Sequence, residues 1–121
     1  MNFPADWPPG CPPSDAEDAT GDVYRVAKSD PLVANDFLSY HELGTARGDP
    51  ILRCGLSVFG QATDAEHASR KFRNMGKVIA KATLKPEHGK TKQTGRPTHT
   101  TWWPYREVNR VSLFSVVGVV T

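Results

Sequence analysis

The sequence predicts a small single α+β domain, built on a mainly antiparallel or mixed sheet of about four to six strands with two helices and a proline-rich N-terminal arm. Three observations predict it. A chain of 121 residues fits one domain. Segments of period two alternate with a segment of helical period. Five prolines, at positions 4, 8, 9, 12 and 13, crowd the start of the chain. The expected division is an arm over 1–22 and a domain over 23–121.

Each proline of the arm removes a backbone donor and fixes φ, which excludes regular helix and central strand there. Phe3 and Trp7 offer anchors onto the domain. Val23–Ala27 alternates and reads as the first strand. Asp30-Pro31 has the form of a helix start, with Leu32, Phe37 and Leu38 as its apolar contacts and Gly44 as its stop. Residues 46–50 read as a turn. Ile51–Phe59 contains a buried strand ending Gly55-Leu56-Ser57-Val58-Phe59. Thr63-Asp64-Ala65-Glu66 is a capping-box pattern. Behind it Ala65, Ala68, Phe72 and Met75 recur at helical spacing, and Gly76 closes the helix. Lys77–Leu84 is a strand with Val78, Ala80, Ala82 and Leu84 on one face. Glu87–Pro104 reads as a long loop, or two short ones around a brief extended piece. Val111–Val120 carries the strongest strand signal.

Charge is divided along the chain. Residues 1–60 hold nine acids and four bases, whereas residues 61–121 hold four acids and eleven bases, nine of them between Arg70 and Arg96. This asymmetry suits an acidic partner, either a protein or a nucleic acid, and it equally suits two halves that complement each other within one fold. No apolar run is long enough to span a bilayer, and the first residues lack the charged and apolar regions of a signal peptide. Cys11 and Cys54, 43 apart, read as free thiols, with a lone disulfide as the alternative. The expectation is therefore a cytoplasmic chain without a membrane partner, with oligomeric state left open.

The segment His88–Tyr105 is the candidate surface. It combines three bases, two histidines, five threonines and three large aromatics in 18 residues. Aromatics beside bases can stack on a nucleobase while a cation meets phosphate. Lys90, Lys92, Arg96, His99, Thr100, Trp102 and Trp103 are its candidate binding residues, with Tyr24 nearby in the first strand. The alternative for Trp102 and Trp103 is a core anchor behind a solvated, mobile basic stretch. No Gly-rich phosphate fingerprint and no metal-ligand spacing is present. Ser57 lacks the second glycine of a nucleophile elbow.

Tyr24-Arg25 in the first strand, and Gly55-Leu56-Ser57-Val58-Phe59 followed by a helix, resemble the Arg–Ser–Glu branch of the ADP-ribosyltransferase-like fold. The resemblance implies Arg25 on the phosphates of NAD, Ser57 on the nicotinamide-ribose side, and a late glutamate assisting transfer. Glu107 is the only acid after Glu87 and takes that place. The Ser-Thr-Ser of that branch is absent, and Tyr40-His41-Glu42-Leu43-Gly44-Thr45 holds the histidine branch's residues only in interrupted form. Two functions follow. One is a non-enzymatic binding protein with no cofactor, contacting an acidic partner through its basic surface and residues 88–105. The other is an ADP-ribosyltransferase-like enzyme or degenerate relative that binds NAD.

Overall fold

Period-two alternation produces one continuous sheet. A computed structural model of the chain describes residues 1–45 and 48–121. Its strands are β1 (Glu17–Asp18), β2 (Gly21–Ala27), β3 (Leu56–Phe59), β4 (Val78–Leu84), β5 (Gly89–Gln93), β6 (His99–Pro104) and β7 (Ser115–Val119). They lie in the order β1-β5-β6-β3-β2-β4-β7, and every neighbouring pair is antiparallel. Two helices accompany the sheet, α1 (Ala62–Lys71) and the four-residue α2 (Arg110–Leu113). The architecture is α+β.

Seven strands exceed the four to six expected, for two reasons. The segment read as a loop is largely a hairpin, with β5 and β6 paired from Gly89↔Pro104 to Gln93↔Thr100. Threonine and tryptophan fit a pleated, half-buried surface, so its composition is as much that of a strand as of a loop. The second reason lies in the N-terminal 22 residues, where Glu17 and Asp18 pair with Thr91 and Lys90.

Other elements differ locally. The helix expected after Asp30 is only a 3-10 turn, Ala34–Phe37. The Asp36 carboxylate accepts the N–H groups of Lys28 and Val33, both at 3.0 Å, and so holds a compact turn in place of a helix. Helix α1 starts after Gln61 without a side-chain cap, two residues before the expected Thr63. It ends at Lys71, and Phe72 leaves helical geometry (φ −120°, ψ 78°) to stand 55% exposed rather than on the apolar face. The long C-terminal strand is broken into α2 and β7, because the Asn109 side chain accepts the Ser112 N–H and caps a helical turn. Of the turn expected over 46–50, Ala46 and Arg47 lie outside the described residues.

The sheet buries both faces. On one face Val23, Leu56, Val58, Ala80, Ala82, Leu84 and Trp102 pack with Phe37 and Phe114. On the other, Val26, Phe59 and Ile79 meet Ala65 and Ala68 of α1. Further along that second face Trp103 packs with Cys54 and Trp7, and Phe3 stacks on both Trp7 and Tyr105. Indole N–H groups that are buried need acceptors. Trp102 donates to His88 O at 3.1 Å and Trp103 to Ile51 O at 3.0 Å.

The sheet is narrowest between β2 and β3, which share the single pair Tyr24↔Phe59. Arg25 bridges this junction. Its Nε donates to Asp36 O at 2.9 Å and a terminal guanidinium nitrogen donates to Ser57 O at 2.8 Å. The guanidinium also lies 5.8 Å from the Phe37 ring centroid. Burial pushes its pKa down to about 10, with Asp36 opposing and Arg110 adding to that shift. It therefore remains a cation at neutral pH.

Candidate functional site

The structure accounts for much of the charge asymmetry internally. Lys90 pairs with Asp18 at 2.7 Å, Lys92 with Asp15 at 2.6 Å and Lys81 with Asp22 at 3.5 Å. Asp15, Asp18 and Asp22 thus lie against lysines of β4 and β5. The bond from Lys92 holds Asp15 below the usual carboxylate range, the Thr83 hydroxyl and then Lys81 do the same for Asp22, and Lys90 is raised through its bond to Asp18. Trp102 and Trp103 have no exposed surface, so neither offers a ring to a partner. Arg96 is exposed on the turn between β5 and β6. That turn is pinned: Thr98 Oγ1 donates to Asp64 of α1 at 2.6 Å and accepts the Gly60 N–H at 3.1 Å.

A second group of residues is brought together by register. Ser57 stands opposite Thr101, and Phe59 opposite His99, so all four side chains share a face. Ser57 Oγ and His99 Nε2 are 3.0 Å apart. His99 Nδ1 is 3.0 Å from Thr94 Oγ1, which is 2.8 Å from Thr101 Oγ1. Burial lowers the His99 pKa, so the ring is neutral at neutral pH. The row can be satisfied in two donor directions: Ser57 O–H to Nε2, Nδ1–H to Thr94 and Thr94 O–H to Thr101, or the reverse with Nε2–H donating to Ser57. Phe59 meets the ring edge-on, and Gly95 lies so close that a Cβ there would come within 3.1 Å of His99 Cβ and 3.3 Å of Nδ1. Ser57 and His99 both keep partial solvent exposure.

The other sequence candidates lie apart from this group. Arg25 projects from the opposite face, beside Ala80 and Phe37, and its link to Ser57 runs only to the backbone oxygen. Thr100 also lies on that opposite face, opposite Val58, and its hydroxyl donates to Thr98 O. Tyr24 shares the face of Ser57, but its ring packs on the core under α1 with Lys81 Nζ at 5.7 Å. Glu107 accepts the Asn2 N–H at 3.1 Å and pairs with Arg106. Those contacts lower its pKa. Among the described residues no group of three or more His, Cys, Asp or Glu could hold a metal. An open depression of about 540 Å³ along the β4–β7 edge is lined by Lys81, Thr83, Lys85, His88, Ser115 and Val117 among others, away from Ser57 and His99.

A basic corner at the end of α1 escaped the sequence reading as a unit. Arg70 and Lys71 close the helix, Arg73 lies in the 3-10 turn Arg73–Met75, and Lys77 follows; all four are exposed. None has an ion-pair partner among the described residues. Phe72 stands exposed between them, with Lys71 Nζ 5.4 Å from its ring. Gly76 places this corner: it takes φ 109°, and a Cβ there would collide with the Ala27 carbonyl. Ser69 Oγ donates to Gly76 O at 2.6 Å and ties the turn to the helix. The signal available in the sequence was the absence of any acid between Glu66 and Glu87.

Comparison with family models, with curated proteins and with solved structures finds no match.

Proposed function

We propose that the protein is a binding module for an acidic partner, and that single-stranded nucleic acid is the partner class its surface suits best. One observation carries this reading. The lysines of β4 and β5 face acids of their own chain, whereas Arg70, Lys71, Arg73 and Lys77 have no ion-pair partner among the described residues and surround an exposed phenylalanine. Cations beside a free aromatic face serve phosphate contact and base stacking together. Fluorescence anisotropy with a short single-stranded oligonucleotide tests it. Four phosphate contacts give a slope of log K against log salt of about −3, and Arg70→Ala with Arg73→Ala halves it. Phe72→Ala weakens binding by about 1–3 kcal/mol without changing the slope. Binding that is absent at low salt, or indifferent to these substitutions, refutes the proposal.

The transferase reading with NAD as cofactor draws support from the contact of Ser57 with His99 beside the narrow β2–β3 junction. Arg25 reaches a phosphate in that reading only by leaving two carbonyls. Millimolar NAD should raise the melting temperature, with the rise lost in Ser57→Ala. Absence of a shift excludes it.

A further inference from the structure

The hydrogen-bonded row Ser57–His99–Thr94–Thr101 is not used by the binding surface at the end of α1. We propose that Ser57 is a nucleophile activated by His99, and that it accepts acyl groups from small uncharged esters. A serine hydroxyl is a weak nucleophile until a neighbouring base can take its proton as it attacks. His99 Nε2 lies 3.0 Å from Ser57 Oγ, within the reach a general base requires. Thr94 is a positioning residue. In the donor direction the reaction uses, it accepts from Nδ1–H and leaves Nε2 free to take a proton, the part an acid or amide plays in other nucleophile–base pairs. In that same direction its own proton goes to Thr101 Oγ1, 2.8 Å away.

The surroundings select the substrate class. The row carries no formal charge. Lys92, on the same face, is matched by Asp15, and Lys81 by Asp22. The two lysines of this face, Lys81 and Lys92, are thus each matched by a carboxylate, and an uncharged acyl ester suits the row better than a phosphoester. Phe59 supplies an apolar wall beside the histidine. In the reaction Ser57 Oγ bonds to the acyl carbon and its proton passes to His99 Nε2. The bond from that carbon to the ester oxygen breaks, and the departing alkoxide takes the proton from His99. Water then attacks the acyl-serine through the same base and restores the hydroxyl.

The test uses p-nitrophenyl acetate with the full chain at neutral pH, followed by nitrophenolate release and by peptide mass mapping. The expected result is a stoichiometric burst with acetyl on Ser57. Ser57→Ala abolishes the burst, and His99→Gln slows it about 100-fold or more, within the range of general-base contributions. Thr94→Val slows it as well, whereas Thr94→Ser, which keeps the hydroxyl, restores the wild-type rate; a merely structural threonine would not make that distinction. Circular dichroism melts establish that each variant is folded, and a fluorophosphonate probe on wild-type protein reads Ser57 independently. Acetyl found on lysines with Ser57 unmodified, or an undiminished burst in folded His99→Gln, overturns the proposal.

Discussion

Replacing Arg25 with alanine removes a side chain that bridges the β2–β3 junction by two hydrogen bonds. Two backbone acceptors, Asp36 O and Ser57 O, lose their donor. A hydrogen bond from a charged group contributes about 1.5–3 kcal/mol, and a buried acceptor left unpaired costs about 1–3 kcal/mol. Against this stands the desolvation of the guanidinium, visible as a pKa lowered to about 10, which alanine relieves. The net loss is about 2–4 kcal/mol, or about 10 °C or more in melting temperature for a domain of this size. Arg25→Lys keeps the charge as a single point and can satisfy fewer acceptors, so it falls between wild type and alanine. Urea unfolding followed by the fluorescence of buried Trp102 and Trp103 measures both. A loss below about 0.5 kcal/mol for Arg25→Ala, the range of ordinary surface substitutions, would refute the clamp. It would also return Arg25 to the ligand-binding role that the family resemblance implies.

Two glycines should respond in opposite directions. Gly89→Ala forces a side chain into φ 127° and against Trp103 O, costing about 2–3 kcal/mol in denaturant melts. Gly118→Ala meets nothing within 4 Å and should stabilise by about 0.5–1 kcal/mol through the unfolded chain. His99 sets a pH dependence: its folded pKa lies below the ordinary 6.5, so acidification below 6.5 protonates the unfolded chain first and stability falls until the folded pKa is passed. His99→Gln should remove that part of the slope between the melting curves at neutral and mildly acidic pH, and an NMR titration of the ring should give a midpoint below 6.5.

The sequence disclosed what local chemistry decides. Alternation placed Ala80, Ala82 and Leu84 on one buried face, and small apolar residues at helical spacing located α1. Pairing between distant segments was not disclosed, and the grouping of the candidate residues depends on pairing. Asp15 and Asp18 read as an acidic stretch until β1 lies beside β5 and sets them against Lys92 and Lys90. Phe72 fitted a helical apolar stripe because nothing local announced that α1 stops one residue earlier. Ser57 and His99 are 42 positions apart, and no spacing rule joins them. What joins them is the register of β3 with β6, and that register is held by the tryptophans. Trp102 faces the core with Leu56 and Phe114, while Trp103 faces Trp7 and Cys54. A slip of β6 by one residue would exchange Trp102 for Thr101 in that core and carry His99 to the far face. Moving so large a side chain out of a close-packed core forfeits about 3 kcal/mol or more. The burial of two rings, which removes them as binding surfaces, is therefore the same force that sets His99 beside Ser57.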